Sequence, residues 1–168
     1  IVVSPLVALI QDQVAQLKKR NIKAIALTGG IPPDELNNLL DNCIYGNYKF
    51  LYLSPERLQQ TIVQERIQQM NVNLIAIDEA HCISQWGPAF RPEYAMLADL
   101  RKRFPGTPVV GLTATADKAT RDDIEDKIFA GDVVRVVTGF DRPKGKLRHI
   151  DGDVYHTLDL AFDLVGSR

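Results

Sequence analysis

The stretch that decides the fold is IAIDEAHCISQW, residues 75–86. It begins as an apolar run and then places Asp78, Glu79 and His81 within four positions. A purely structural strand gains nothing from three titratable side chains at its end. A strand that emerges where a parallel sheet meets solvent can instead present them to a ligand, because ligands of open α/β sheets bind along that edge. Asp78 in such a place can hold Mg²⁺, usually through water, since this hard ion keeps much of its hydration and shares phosphate oxygens with its protein ligand. Glu79, pointing to the opposite side, can take a proton from an attacking water. His81 can hydrogen-bond a neighbouring element and report the state of the site.

Outward from this stretch, short β-branched runs alternate with longer amphipathic segments, the pattern of a parallel sheet covered by helices on both faces. The expected strands are 1–3, 24–27, 50–53, 74–78, 109–112 and 133–137. Between them Leu6, Leu9, Ile10, Val14 and Leu17 recur at helical spacing, as do Leu36, Leu39, Leu40 and Cys43, then Leu58, Ile62 and Ile67. Tyr94, Leu97 and Leu100 mark a fourth helix, and Ile124 with Ile128 a fifth. No internal repeat or low-complexity tract interrupts the pattern.

Several strand-to-helix junctions share a chemistry. Ser4-Pro5 and Ser54-Pro55 each follow a strand, with Ser as an expected N-cap and Pro at the first helical position. Thr113, Thr115 and Asp117 occupy the equivalent place after residue 112. In a parallel sheet these junctions lie along one edge, where free N–H groups and helix dipoles favour anions. Together with the acidic strand end they point to a phosphate-rich ligand.

Composition narrows the class without naming it. The 168 residues are 45% apolar and 24% charged, suited to one soluble domain, and a formal net charge of -1 gives no global attraction to nucleic acid or to an anionic membrane. Cys43 and Cys82 are too few for a disulfide framework or a four-cysteine zinc site and read as free thiols of a reducing compartment. No apolar run approaches the roughly 18 residues of a membrane span, so an intracellular protein without a membrane partner is expected. Ile1 already lies inside an apolar strand, so something before it is expected to belong to the same fold.

The motifs then carry a resemblance. D78-E79-A80-H81 resembles the acidic DEAH motif of superfamily 2 helicases, and C82-I83-S84-Q85-W86-G87 followed by F90-R91-P92-E93-Y94 resembles the aromatic-rich loop of RecQ-type ATP-dependent DNA helicases. VVSPLVALIQDQV at 2–14, YLSPERL at 52–58, GLTATAD at 111–117 and GFDRP at 139–143 are similar to successive conserved blocks of that family's first lobe. The resemblance implies a P-loop NTPase fold of the RecA-like kind over 1–143, with ATP and Mg²⁺ as cofactors and single-stranded or forked DNA as partner. It further implies Asp78 for Mg²⁺, Glu79 for the hydrolytic water, His81 for linking nucleotide to the DNA-sensing loop, and Thr113 and Thr115 for coupling. Trp86, Phe90 and Arg91 would engage single-stranded DNA, with Ser4 and Ser54 also expected among the DNA-contacting residues; for the aromatics the role has its own physical basis, since exposed rings stack on bases of any sequence. The family acts with 3'-5' polarity in recombination and repair, which implies a cytoplasmic or nucleoid-associated protein, nuclear in a eukaryote.

Three departures qualify the expectation. Where the family has a His-Asp pair, this chain has Pro88-Ala89, which removes a polar dyad and restricts the loop backbone. No G-x-x-x-x-G-K-[ST] occurs, so the lobe is expected to lack the phosphate-loop strand beside residues 109–112 and to be inactive alone. A second lobe is not recognisable after Pro143, and 144–168 reads as either a docked terminal helix or a mobile end. Two other readings stay open: a non-catalytic module that binds single-stranded DNA, and a fragment of a superfamily 2 RNA helicase.

Overall fold

Along 24–27, 50–53 and 75–77, side chains alternate between large aliphatic groups on one face and small or aromatic groups on the other. The computed structural model describes residues 1–131, 133 and 134. Strands β1 (Val2–Val3), β2 (Ala24–Leu27), β3 (Phe50–Leu53), β4 (Ile75–Ile77) and β5 (Val109–Gly111) form one all-parallel sheet in the order β2-β3-β1-β4-β5. Val3, Ile25, Leu27, Leu51, Leu53, Ile75 and Ile77 face the larger core, whereas Val2, Ala24, Tyr52 and Ala76 face the smaller one.

The two faces are covered unequally. Helix α1 (Val7–Lys19) lies on the smaller-residue face, packing Ile10, Val14 and Leu17 over Ala24, Ala76 and Tyr52. The alanines leave room for a close helix, and Tyr52 fills the space between. Helices α2 (Pro33–Tyr45), α4 (Thr61–Ile67), α5 (Leu97–Arg103) and α6 (Lys118–Phe129) cover the other face, together with the short α3 (Pro55–Leu58). The expected sandwich of a parallel sheet between helices is therefore present. Each apolar side chain so buried contributes roughly 1.5–3 kcal/mol, enough collectively to oppose the ordering cost of the chain.

Local chemistry explains the helix ends and where expectation shifts. Helix α2 starts with Pro33 at its first turn, carries Asp34 and Glu35 there, and stops at Gly46. Asp117 caps α6, accepting the Thr120 N–H at 2.8 Å, and that bond holds its carboxyl below the usual range. Ser4 is not the cap expected of it: α1 begins at Val7, after Leu6. Ser54 does precede α3, but its side chain makes no capping bond. The helix expected from Leu58, Ile62 and Ile67 divides, because Gln60 is extended between α3 and α4. The one expected around Tyr94 also divides, into a 3-10 turn at Pro92–Met96 and α5.

Strand β5 ends the sheet among the described residues, and all three of its residues are half-buried. This is the position beside which the phosphate-loop strand was expected to be lacking. Of the expected strand at 133–137, Val133 and Val134 are not in a strand, and the remainder lies outside the described residues, as do GFDRP and the tail from 144.

Candidate nucleotide and nucleic-acid site

Asp78 leaves β4 held from three directions. Its N–H donates to Val3 of β1, the Ala80 N–H donates to Leu112 beyond β5, and its own carbonyl accepts the Tyr94 hydroxyl, each at 2.9 Å. Between these fixed points Glu79 adopts a left-handed conformation, φ 49° and ψ 44°. That region is unfavourable for a residue with a Cβ and occurs where surrounding bonds over-determine the backbone. The turn at Glu79 starts the 3-10 segment Ala80–Ile83 and sends the side chains of 78, 79 and 81 out at the carboxyl edge of the sheet.

The Asp78 carboxylate has both oxygens engaged. Ser4 donates its hydroxyl to Oδ2 at 2.9 Å, and the Glu79 N–H donates to Oδ1 at 3.0 Å. Ser4 and Ser54 are both buried, so in this conformation neither hydroxyl is presented to DNA as the sequence suggested. Ser4 instead orients the carboxylate. Asp78 alone does not make a closed metal cage: among the described residues no group of three His, Cys, Asp or Glu side chains could hold an ion. A single oriented carboxylate at a sheet edge fits Mg²⁺, which keeps several waters and takes its remaining oxygens from phosphates.

His81 joins the acid to the next loop. Its Nδ1 lies 3.2 Å from Glu79 Oε2 and 2.9 Å from Thr113 Oγ1. Thr113 Oγ1 accepts the Thr115 N–H and donates to the Thr115 carbonyl, both at 3.3 Å. With that hydroxyl proton committed, the consistent assignment places a proton on Nδ1 that is donated to Thr113, with the Glu79 carboxylate beside it. Four of the residues expected from the sequence, Glu79, His81, Thr113 and Thr115, are thus one connected set, with Asp78 on its flank.

The aromatic loop lies alongside. An open cleft of about 560 Å³ is lined by Leu6, Glu79, His81, Phe90, Arg91 and Thr115, among others. Trp86 is 81% exposed and Phe90 37% exposed, high values for such rings. Arg91 is anchored by its N–H to the Cys82 carbonyl at 2.9 Å, and its guanidinium stands 3.9 Å from Glu56 of α3. That pair is solvent-exposed and weak, so the guanidinium remains available to a phosphate. Pro88 and Ala89 also line the cleft, which makes its wall beside Phe90 apolar. Sequence reasoning missed Glu56, Ser84, Tyr94 and Asp123. Tyr94 was read as a helix-packing residue, and nothing local to the sequence pairs Ser84 with Asp123.

Burial sets the titration of three neighbouring and core groups. It pushes the phenols of Tyr94 and Tyr52 above their ordinary range and the Cys43 thiol up to about 11. Raised folded pKa values mean that these groups' stabilisation is complete below their unfolded values, about 8.5 for Cys and 10 for Tyr. It is lost as pH rises from there through the folded values. Urea midpoints are therefore expected to fall progressively above about pH 8.5, and Cys43→Ala is expected to flatten the first part of the decline.

A family model described as DEAD/DEAH box helicase matches residues 1–124. The chain belongs to that family. Its relatives include a Bacillus subtilis protein named Probable ATP-dependent DNA helicase RecS, 44% identical over 98% of this chain, and the ATP-dependent DNA helicase RecQ of Haemophilus influenzae, 42% identical over 85%. This DEAD/DEAH box chain spans 33% of the length of the first and 23% of the second. The helicase domain of Pyrococcus furiosus Hef shares its fold, with a TM-score of 0.56 at 21% identity over 76% of this chain and 27% of that one. Among the described residues no helix is long and apolar enough to cross a membrane.

Proposed function

We propose that residues 1–143 form part of the first motor lobe of a RecQ-type, ATP-dependent DNA helicase that separates strands with 3'-5' polarity during recombination and repair, in the cytoplasm or nucleoid, or in a nucleus. The observation that carries this reading is the shared cleft: Glu79 and His81 line the same space as Phe90 and Arg91. Nucleotide chemistry and single-strand contact can therefore influence one another over a few side chains. Mg²⁺ bound with ATP neutralises phosphate charge, and Asp78, oriented by Ser4, would hold it. Glu79 accepts the proton of the attacking water. His81, hydrogen-bonded to Thr113 and lying beside the Glu79 carboxylate, senses the arrangement of that acid and passes it to the loop at 113–115. Trp86 and Phe90 stack on bases and Arg91 engages a phosphate of single-stranded or forked DNA. A second lobe, absent from 1–143, would complete the nucleotide site and supply the moving partner.

Single-stranded DNA binding by this chain tests the reading directly. Saturable binding of an oligothymidylate that weakens with salt, and that RNA of equal length competes for poorly, is the expected result. Absence of binding at low salt would overturn the DNA-facing role, and equal competition by RNA would turn the reading towards an RNA helicase. The catalytic and non-catalytic alternatives separate in a second experiment. The chain carries no phosphate-loop motif to cradle the β- and γ-phosphates. Calorimetric titration with ATP and Mg²⁺ is therefore expected to show no saturable binding by the folded chain. Heat that disappears in Asp78→Ala would show instead that the acidic edge suffices for a nucleotide.

A further inference from the structure

We infer that Asp123 of α6, acting through Ser84, is a positioning residue of the aromatic loop that holds Trp86 outward for base stacking. The inference rests on the reading of that loop as a single-strand contact, but its structural half stands on separate geometry. Ser84 is completely buried although it lies two residues from the most exposed aromatic ring of the described chain. Its hydroxyl donates to Asp123 Oδ2 at 2.7 Å, and the same oxygen accepts the Trp86 N–H at 3.3 Å. The hydroxyl thus joins helix to loop at the residue whose ring must be presented. Lys127 Nζ lies 3.2 Å from Asp123 Oδ2, one turn along α6, as a partly exposed partner.

The loop is also closed on itself beside this helix. The Gly87 N–H donates to the Ser84 carbonyl at 3.3 Å, closing a turn around Trp86. A Cβ built at Gly87 would stand 4.0 Å from Thr120 Oγ1, so the loop backbone lies near the first turn of α6. The start of that helix is fixed by Asp117, and the segment before it contains Thr113, the partner of His81. The helix therefore follows the nucleotide-side loop in sequence and grips the aromatic loop in space. This route avoids positions 88 and 89, where Pro88-Ala89 offers no side-chain hydrogen bond. A carboxylate that accepts a buried hydroxyl forms a strong, directional bond, which suits it to fixing a loop.

Trp86 is the chain's one tryptophan, so its fluorescence reports the loop without a label. In the full 168-residue chain, Asp123→Ala and Ser84→Ala are expected to lower Trp86 anisotropy while circular dichroism stays native. Affinity for an oligothymidylate is expected to fall roughly 2- to 10-fold, the scale of one net hydrogen bond, with the salt slope unchanged because no phosphate contact is removed. Asp123→Asn, which retains an acceptor for Ser84, should restore both readouts, and Lys127→Ala should alter neither strongly. Native-like Asp123→Ala and Ser84→Ala chains with the parent's anisotropy and affinity would overturn the inference. If Ser84→Ala does not fold, Asp123→Ala and Asp123→Asn decide alone. A parent that binds no DNA would defeat the functional reading, while the anisotropies would still decide whether Asp123 positions the loop.

Discussion

Glu79→Gln is expected to lower kcat for DNA-stimulated ATP hydrolysis by roughly 10²- to 10⁴-fold in a helicase that carries this lobe with its phosphate loop and second lobe. The substitution preserves size and leaves an oxygen to meet His81 Nδ1, which lies 3.2 Å from Glu79 Oε2. The left-handed turn at 79 is imposed by bonds of the neighbouring backbone, so the mutant retains the site's shape. What it loses is the carboxylate proposed to take the water's proton. If the carboxylate acts only in the chemical step, KM for ATP and affinity for single-stranded DNA should change little. A fall in kcat with KM preserved identifies a proton acceptor. An equal loss in DNA affinity would instead make Glu79 a structural member of the cleft.

The comparison of this residue with its neighbours shows what the sequence could and could not disclose. A run of Leu, Ile and Ala followed by Asp78 and Glu79 is readable as a buried strand ending in chemistry, because burial excludes charge until the sheet edge is reached. The alternation of strands with amphipathic segments foretold two covered faces, and the structure puts a different core on each. Hydrogen-bond partners were not readable in the same way. Ser4 lies 74 positions from the carboxylate it orients, and its serine-proline context favoured a helix cap over a bond to Asp78. Tyr94 fitted the helical spacing of its apolar neighbours, which concealed a hydroxyl aimed at the Asp78 carbonyl. Ser84 and Asp123 are 39 positions apart and meet only because α6 folds back over the loop. Short-range pattern thus locates the edge of the sheet, while the side chains that tune it come from long-range packing.

Trp86→Ala should produce the second large effect, a roughly 5- to 150-fold loss of single-stranded DNA affinity, equivalent to about 1–3 kcal/mol for one stacked base. The ring is 81% exposed and is held at its backbone by Ser84, so its removal leaves no cavity in the core and should not unfold the chain. The measurement is the anisotropy of a labelled oligothymidylate titrated with protein at several salt concentrations. Stacking releases no counterions, so Trp86→Ala should weaken binding at every salt concentration with the slope of log affinity against log salt preserved. Arg91→Ala should behave differently, reducing that slope by about 0.7, the value for one phosphate contact to a single strand. The pair of slopes separates the two halves of the proposed interface. If both variants kept the parent's affinity and slope, the cleft beside Glu79 would not be where DNA is held, and the aromatic loop would have to be read as a surface for another partner.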